Sequence, residues 1–345
     1  MMTQPIPNNI VSQTWEKPFI RPDKIPSSAD VVIIGGGIVG VSTAYFLAKA
    51  GINVVLCEKG HIAGEQSGRN WGWVRKQYRD ARELPMMIES MKIWANLEQD
   101  IGEDVGFQQT GCIYAAKSEK QLAEYEDWLK TAKHFGLDTR LLSAAEIKNH
   151  ISGASENWPG ALHTPSDGRA EPHLAAPAIA RAAVRAGATI LTTCAVRGME
   201  LSAGRVSGVI SEYGTIKAQQ VLCAGGAWTS MFCRFHGIHL PQLKVKGIVA
   251  RTEAREKLFD GELYGGGLGL RRRQDGGYTI ASESYMNHSI TPSTFRYALK
   301  FLPAFIAEIK HLNLTIGGDF FDELSIPVRW PMDTPSPFDR TRVLN

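Results

Sequence analysis

Residues 30–58 read DVVIIGGGIVGVSTAYFLAKAGINVVLCE, and this stretch decides the fold. It opens with a β-branched apolar run at 31–34, the pattern of a buried parallel strand. Gly35, Gly37 and Gly40 follow at the G-x-G-x-x-G spacing. A helix is expected over 38–50 with Gly51 ending it, then a second apolar run over 53–57 that closes on Glu58. Gly35 permits the sharp strand-to-helix turn, Gly37 lets the backbone approach a pyrophosphate, and Gly40 lets helix and strand pack closely. The phosphates would lie on the free N–H groups at the helix start, which Ile38 opens. Glu58 stands about twenty residues past the glycines, where an acid bonds ribose hydroxyls, and Lys59 follows it. Strand, triplet, helix, second strand and terminal acid in this order specify a dinucleotide site. An acid at 58 disfavours a 2′-phosphate, so FAD or NAD is preferred over NADP.

The rest of the chain sets the frame. Its 345 residues suggest about two domains, and 43% hydrophobic with 21% charged residues is an ordinary globular composition. A net charge of +3 with no basic block gives no case for nucleic acid; Arg271, Arg272 and Arg273 form a short cluster that reads as a solvated turn or an anion contact. Cys57, Cys112, Cys194, Cys223 and Cys233 show no pairing rhythm and read as free thiols in a reducing compartment. No signal-peptide core and no apolar run of membrane-spanning length are present, so a cytoplasmic location is expected.

Along the chain, 1–28 read as an irregular arm and 59–80 as a loop close to the bound dinucleotide. Helices are expected over 82–100, 118–136 and 294–312, with a capping box at Ser143 and Glu146. Strand-like runs cover 107–116. An alanine-rich helix follows within 163–188, and three short strands then return to a parallel strand at 221–224. Further strands fill 241–285, with glycine turns at 265–269 and 276–277. Residues 326–345 are proline-rich.

VVIIGGGIVG with Glu58, AGEQSGRN at 63–70, the Asp167-Gly168 turn with Pro172, and AVRGMELSAGRVSGVISEYGTIKAQQVLCAGGAW at 195–228 together resemble the D-amino-acid oxidase-like family of FAD-dependent oxidoreductases. That family includes sarcosine and glycine oxidases and D-amino-acid dehydrogenases. The resemblance covers roughly residues 28–285. It implies that Gly35, Gly37 and Gly40 hold the FAD pyrophosphate and Glu58 the adenosine ribose. Ser67, Gly68 and Asn70 would line the pyrophosphate and flavin edge. Val196 would meet the adenine through its backbone, and Ala224, Gly225 and Trp228 would close over the dinucleotide. By the same resemblance, Arg75 is the position of a substrate-carboxylate arginine; its planar fork suits that role, and a surface arginine is the alternative. The family's second flavin-binding stretch is not found before Asn345, which implies a truncated member or one completed by a partner subunit. The first flavin loop, 67–74, holds no His, so noncovalent FAD is expected. GLGLRRR holds no lysine where sarcosine oxidases use one, leaving oxidase or dehydrogenase open.

His236 and His239 lack a convincing third ligand and read as ordinary histidines; no metal is expected. Trp71 and Trp73 read as a pocket wall or a structural pair. The expected architecture is α/β (α+β): a discontinuous Rossmann-like FAD-binding domain over 29–95 and 150–240, and a mostly antiparallel-sheet substrate domain over 96–149 and 241–345. The expected activity is oxidation of the C–N bond of an amino acid or secondary amine, of D-amino-acid or N-methyl type, by hydride transfer to flavin N5 and hydrolysis of the imine. The alternatives are an NAD-dependent dehydrogenase and a non-catalytic nucleotide-binding subunit.

Overall fold

The computed structural model describes residues 25–152, 157–282, 286–309, 312–326 and 328–333. Most of the expected arm at 1–28 and of the proline-rich segment at 326–345 lies outside these residues.

The opening stretch folds as β1 (Val31–Ile34), α1 (Ile38–Lys49) and β2 (Val54–Cys57). The helix ends one residue earlier than its pattern suggests. Ala50 caps it, Gly51 takes φ +81°, and the Gly51 and Ile52 N–H groups donate to Ala48 O and Leu47 O at 2.9 and 3.1 Å. This is a Schellman closure, and it needs the left-handed residue that glycine supplies.

Helix α2 (Pro172–Arg185) leads to β3 (Thr189–Leu191), and β4 (Gln220–Cys223) completes a four-stranded parallel sheet in the order β4-β1-β2-β3. Side chains alternate between its two faces. Ile33, Leu56 and Ile190 pack with Val41, Ala44 and Ala176 on the helical side. Val32, Val55, Cys57 and Leu191 pack with Val196, Val209 and Ile216 of a three-stranded antiparallel meander. Both faces are covered, which is why these strands read as unbroken apolar runs. Each fully buried aliphatic side chain contributes about 1.5–3 kcal/mol of transfer free energy.

A second sheet has seven strands, drawn from 112–164 and 249–282. All its pairings are antiparallel except Glu262–Gly265 beside Cys112–Ala115. Its turns fall at the expected glycine positions, and the Ser143–Glu146 capping box is present.

Three expectations are corrected. The loop over 59–80 contains a short helix, Gln66–Arg69, and a two-residue strand, Trp73–Val74, which pairs with Gly168–Arg169. That strand exists only through a partner more than ninety residues away, so no local pattern announces it. The strand expected over 107–116 shortens to Cys112–Ala115. The single helix over 294–312 divides into Pro292–Arg296 and Ala298–Glu308, with the buried Tyr297 between them. Leu312–Thr315 instead forms a strand parallel to Met286–Ser289, where tertiary pairing overrides helical periodicity.

Candidate active site

At the end of β1 the glycines differ in what demands them. A Cβ on Gly35 (φ +110°) would stand 2.5 Å from Ala224 O, and one on Gly40 would stand 2.0 Å from Gly35 O. Gly36, which the triplet pattern does not single out, is less constrained, since the atom its Cβ would meet, Ile62 Cδ1 at 2.6 Å, is the end of a side chain. Gly35 and Gly40, which face backbone oxygens, are required by the protein's own packing. Gly37 is not: its φ of −74° is ordinary, and the only atom near its Cβ position is the Ser67 hydroxyl at 3.1 Å. Gly37 is also the N-cap of α1 and carries no side-chain cap. A helix start with no side chain on its N-cap residue and no neighbour at Gly37 but a hydroxyl suits a dinucleotide phosphate, so the residues present fit that group. Ser67 reaches this point as well, accepting from the Ile38 N–H at 2.9 Å.

Glu58 lies at the end of β2, as expected. Its two carboxyl oxygens accept from the Gly36 and Gly60 N–H groups at 2.6 and 2.7 Å, tying the acid to the glycine loop. Burial raises its carboxyl above the usual range, and these two donors oppose the shift. Next to it, the Lys59 ammonium sits 4.3 Å from the centre of the Trp228 ring. Ala224 donates its N–H to Ile34 O at 2.8 Å and turns its carbonyl onto Gly35, and Gly225 opens the short turn that carries Trp228. The approach to Val196 runs past Glu58, whose carbonyl accepts from Cys194 N at 2.8 Å. Gly35, Gly37, Ile38, Glu58, Lys59, Ala224, Gly225 and Trp228 thus follow the carboxyl ends of the adjacent strands β1, β2 and β4. Val196 lies buried just behind them.

The segment after β2 is self-bracing. Gly68 is compelled, because a Cβ there would meet Ala63 O at 2.3 Å. Asn70 accepts from Gly72 N at 2.7 Å and donates to Ser67 O at 2.9 Å, so it shapes the loop. Trp71 and Trp73 meet edge to face at 5.1 Å; Trp71 packs against Gly269, while Trp73 lines a cavity. This cavity has a volume of about 270 Å³ and extends from Ile38 and Ser67 to Arg75 and Arg79, with Met87, Met91, Trp94 and Ala175 in its wall. Arg75 lies over the Tyr114 ring, 5.4 Å from its centre, and donates to Gln77 O.

Behind the cavity are charges that the sequence pattern does not locate. Asp167 of the Asp-Gly turn accepts from the Lys76 and Gln77 N–H groups, both at 2.9 Å, and pins the chain directly after Arg75. Arg271 is 2% exposed and forms a bidentate pair with Glu171, at 2.8 and 3.1 Å. A Cβ on Gly72 (φ +77°) would stand 2.9 Å from that guanidinium and 2.5 Å from Ala170 O. Arg271 is therefore a buried prop under the loop: of the two readings of this arginine cluster, the solvated turn is corrected here and the anion contact is with Glu171. Glu262 is 1% exposed, and its carboxyl oxygens face Cys112 and the Val74 backbone without a well-formed hydrogen bond. Burial, followed by the Asp167 charge, pushes that carboxyl well above the usual range. Charged letters in short strands give no sign of burial, and these roles became visible only once the two sheets were brought together.

His236 Nε2 accepts from Met199 N at 2.9 Å, and no cluster of potential metal ligands occurs among the described residues. The cysteines described are free, and no described helix is long and apolar enough to cross a membrane.

The family model of the FAD dependent oxidoreductases, DAO, matches residues 30–327. In the curated proteins, sarcosine oxidase subunit beta of Arthrobacter sp is 33% identical over 235 residues, which is 66% of this chain and 57% of that one. Mouse (Mus musculus) mitochondrial sarcosine dehydrogenase is 29% identical over 240 residues, 67% of this chain and 26% of its own length. The match therefore covers about a quarter to just over half of these relatives. Among solved structures, an L-amino acid deaminase from Proteus myxofaciens in complex with anthranilate superposes with a TM-score of 0.89 at 32% identity, over 94% of this chain and 75% of that one. A family defined by FAD removes the NAD-dependent alternative. With the glycine loop, the acid at 58 and the two-sheet architecture all in place, the chain belongs to the DAO family of FAD-dependent oxidoreductases.

Proposed function

We propose that the chain is the FAD-binding part of an enzyme that oxidises the Cα–N bond of an amino acid, primary or N-methylated, to an imine that water hydrolyses. The observation that carries this reading is the cavity running from the start of α1 to Arg75. FAD, when bound, supplies the acceptor for the hydride that leaves the carbon next to nitrogen. The pyrophosphate would be held by the α1 start and Ser67, the ribose by Glu58, and the far side by Ala224, Gly225 and Trp228.

The chain's own contribution is placement. Arg75 presents a planar cation at one end of the cavity, suited to a carboxylate. Trp73, Met87, Met91 and Trp94 give an apolar wall that excludes water around the reacting carbon. The reaction needs the amine neutral. A cavity lined by Arg75 and Arg79 disfavours a second cation, so the substrate binds with its amine neutral, the proton having passed to bulk solvent, without a dedicated base. Because 67–74 holds no His, we assign the flavin as noncovalent. Similarity to an L-amino acid deaminase favours a primary amino acid within this class. Similarity to a protein named as a subunit supports an assembly with a second chain.

The test is anaerobic titration of the purified flavoprotein with L-, D- and N-methyl amino acids. Bleaching of flavin absorbance by one class names the substrate. A yellow protein bleached by none of them would leave a non-catalytic binding subunit. Flavin released by acid precipitation checks the noncovalent assignment.

A further inference from the structure

The ribbon formed by Trp73–Val74 and Gly168–Arg169 ends one residue before Arg75. Val74 pairs with Gly168, so continuing that antiparallel register would set Arg75 opposite Asp167. The Asp167 side chain takes the ladder's place: Oδ1 accepts from Lys76 N and Oδ2 from Gln77 N, both at 2.9 Å. The aspartate has no exposed surface. Its backbone is tied as well, donating to Thr164 O at 3.2 Å and accepting from Gly111 N at 2.8 Å. Thr164 ends one of two paired strands of the second sheet, and Gly111 precedes the other. The segment that carries Arg75 is therefore referenced to that sheet through one carboxylate.

The contacts continue to the guanidinium. Gln77, held at its N–H by Asp167, offers its carbonyl to Arg75, which donates Nη1–H to it. Arg75 also lies over the ring of Tyr114, a residue of the strand Cys112–Ala115. Nearby charges leave this cation available. Lys76 Nζ stands 3.6 Å from Asp167 Oδ1 and 2.7 Å from the Ser166 hydroxyl, so Asp167 has a counter-charge besides Arg75. Burial raises the Asp167 carboxyl, while the two N–H donors, then Lys76 and Arg75, oppose the shift. The other acid facing Arg75 is Glu262, which burial and then the Asp167 charge push well above the usual carboxylate range. Two cations thus face one ionised carboxylate, which leaves a positive charge for a ligand.

We propose that Asp167 is a positioning residue, which fixes the Arg75 guanidinium through the Lys76 and Gln77 backbone and so sets the affinity for a substrate carboxylate. It rests on the assignment of Arg75 to that carboxylate. A bidentate pair needs the planar fork in line with the carboxylate, and a displacement of about 1 Å costs on the order of a hundredfold. The chain from Asp167 to the fork is short: one N–H, one residue and one carbonyl.

Flavin difference spectra of the purified flavoprotein, titrated with benzoate and separately with benzamide, test it. The parent should bind benzoate at least about tenfold tighter than benzamide, and Arg75→Ala should abolish that preference. Asp167→Asn keeps the shape but offers one acceptor where two N–H groups need it. It should weaken benzoate at least about tenfold and benzamide by less than about threefold. In the Arg75→Ala background the same change should add less than about twofold for benzoate. An equal loss for both probes, or a loss of benzoate that persists without Arg75, overturns the positioning role while the Arg75 reading stands. A parent without the preference, or an Arg75→Ala protein that keeps it, overturns both. Asp167→Ser, smaller and able to accept one N–H, carries the same expectations where Asp167→Asn fails to fold.

Discussion

Replacing Glu171 with Gln gives the sharpest test of how the site is supported. The carboxylate is 1% exposed and meets Arg271 bidentately, Arg169 at 3.3 Å and Gln274 N at 2.8 Å. Both arginines are themselves at or below 3% exposure. Glutamine keeps the volume and one acceptor but removes the charge, leaving two desolvated guanidinium groups facing each other. Breaking a buried pair from one side costs about 3–5 kcal/mol, far above the ~0.5 kcal/mol of an exposed pair. In a chain of this size that corresponds to a fall in Tm of about 4–7 °C. Glu89→Gln, which breaks the exposed pair with Lys92, is the control and should shift Tm by about 1 °C or less. Scanning calorimetry of the two variants gives the comparison. The double variant Glu171→Gln/Arg271→Met should recover part of the loss, because one stranded cation is gone. A Glu171→Gln protein that melts within 2 °C or so of the parent would refute the view that this pair props the Gly72 loop.

Three further outcomes are expected. Gly37→Ala should fold with a near-normal Tm yet lose FAD on gel filtration, whereas Gly35→Ala should lose both; equal behaviour of the two would remove the distinction drawn at the glycine loop. Glu262→Gln should flatten the pH dependence of stability. A carboxyl whose folded pKa is raised binds more protons folded than unfolded, so the parent loses about 1.4 kcal/mol per pH unit above roughly pH 4.3. Melting curves of parent and variant that stay parallel from pH 4 to 8 would show Glu262 ionised. Arg75→Ala should raise KM for carboxylate substrates at least tenfold and spare uncharged amines; an equal loss for both would leave Arg75 with only its Gln77 and Tyr114 contacts as its role.

The glycine loop and the acid at its side were legible because their signals are local. The turn at Gly35, the helix start and the acid at 58 all fall within one stretch, and so does the pairing of β1 with β2. The meander was legible for the same reason, being three hairpin-connected strands. What escaped was everything set by distant partners. Trp73–Val74 is a strand only because Gly168–Arg169 lies beside it. Asp167 reads as a turn residue, yet its carboxylate holds Lys76 and Gln77. Arg271 reads as a solvated turn or an anion contact beside two other arginines, and its burial depends on Glu171, one hundred positions earlier. Periodicity reports which face of an element is apolar, not which charge another element brings to meet it.

The central strand of the parallel sheet is flanked by partners made at very different times. β2 leaves the ribosome soon after β1, but the register on its other side, Val31 beside Gln220, needs a strand synthesised roughly 190 residues later. At about 5–20 residues per second, β1 waits on the order of ten to forty seconds with one edge unpaired. An apolar strand with an open edge is a template for mispairing, so the nascent chain is most exposed to aggregation before position 220 is made. Slowing elongation between residues 60 and 220 should therefore lower the yield of soluble protein, and faster elongation there should raise it.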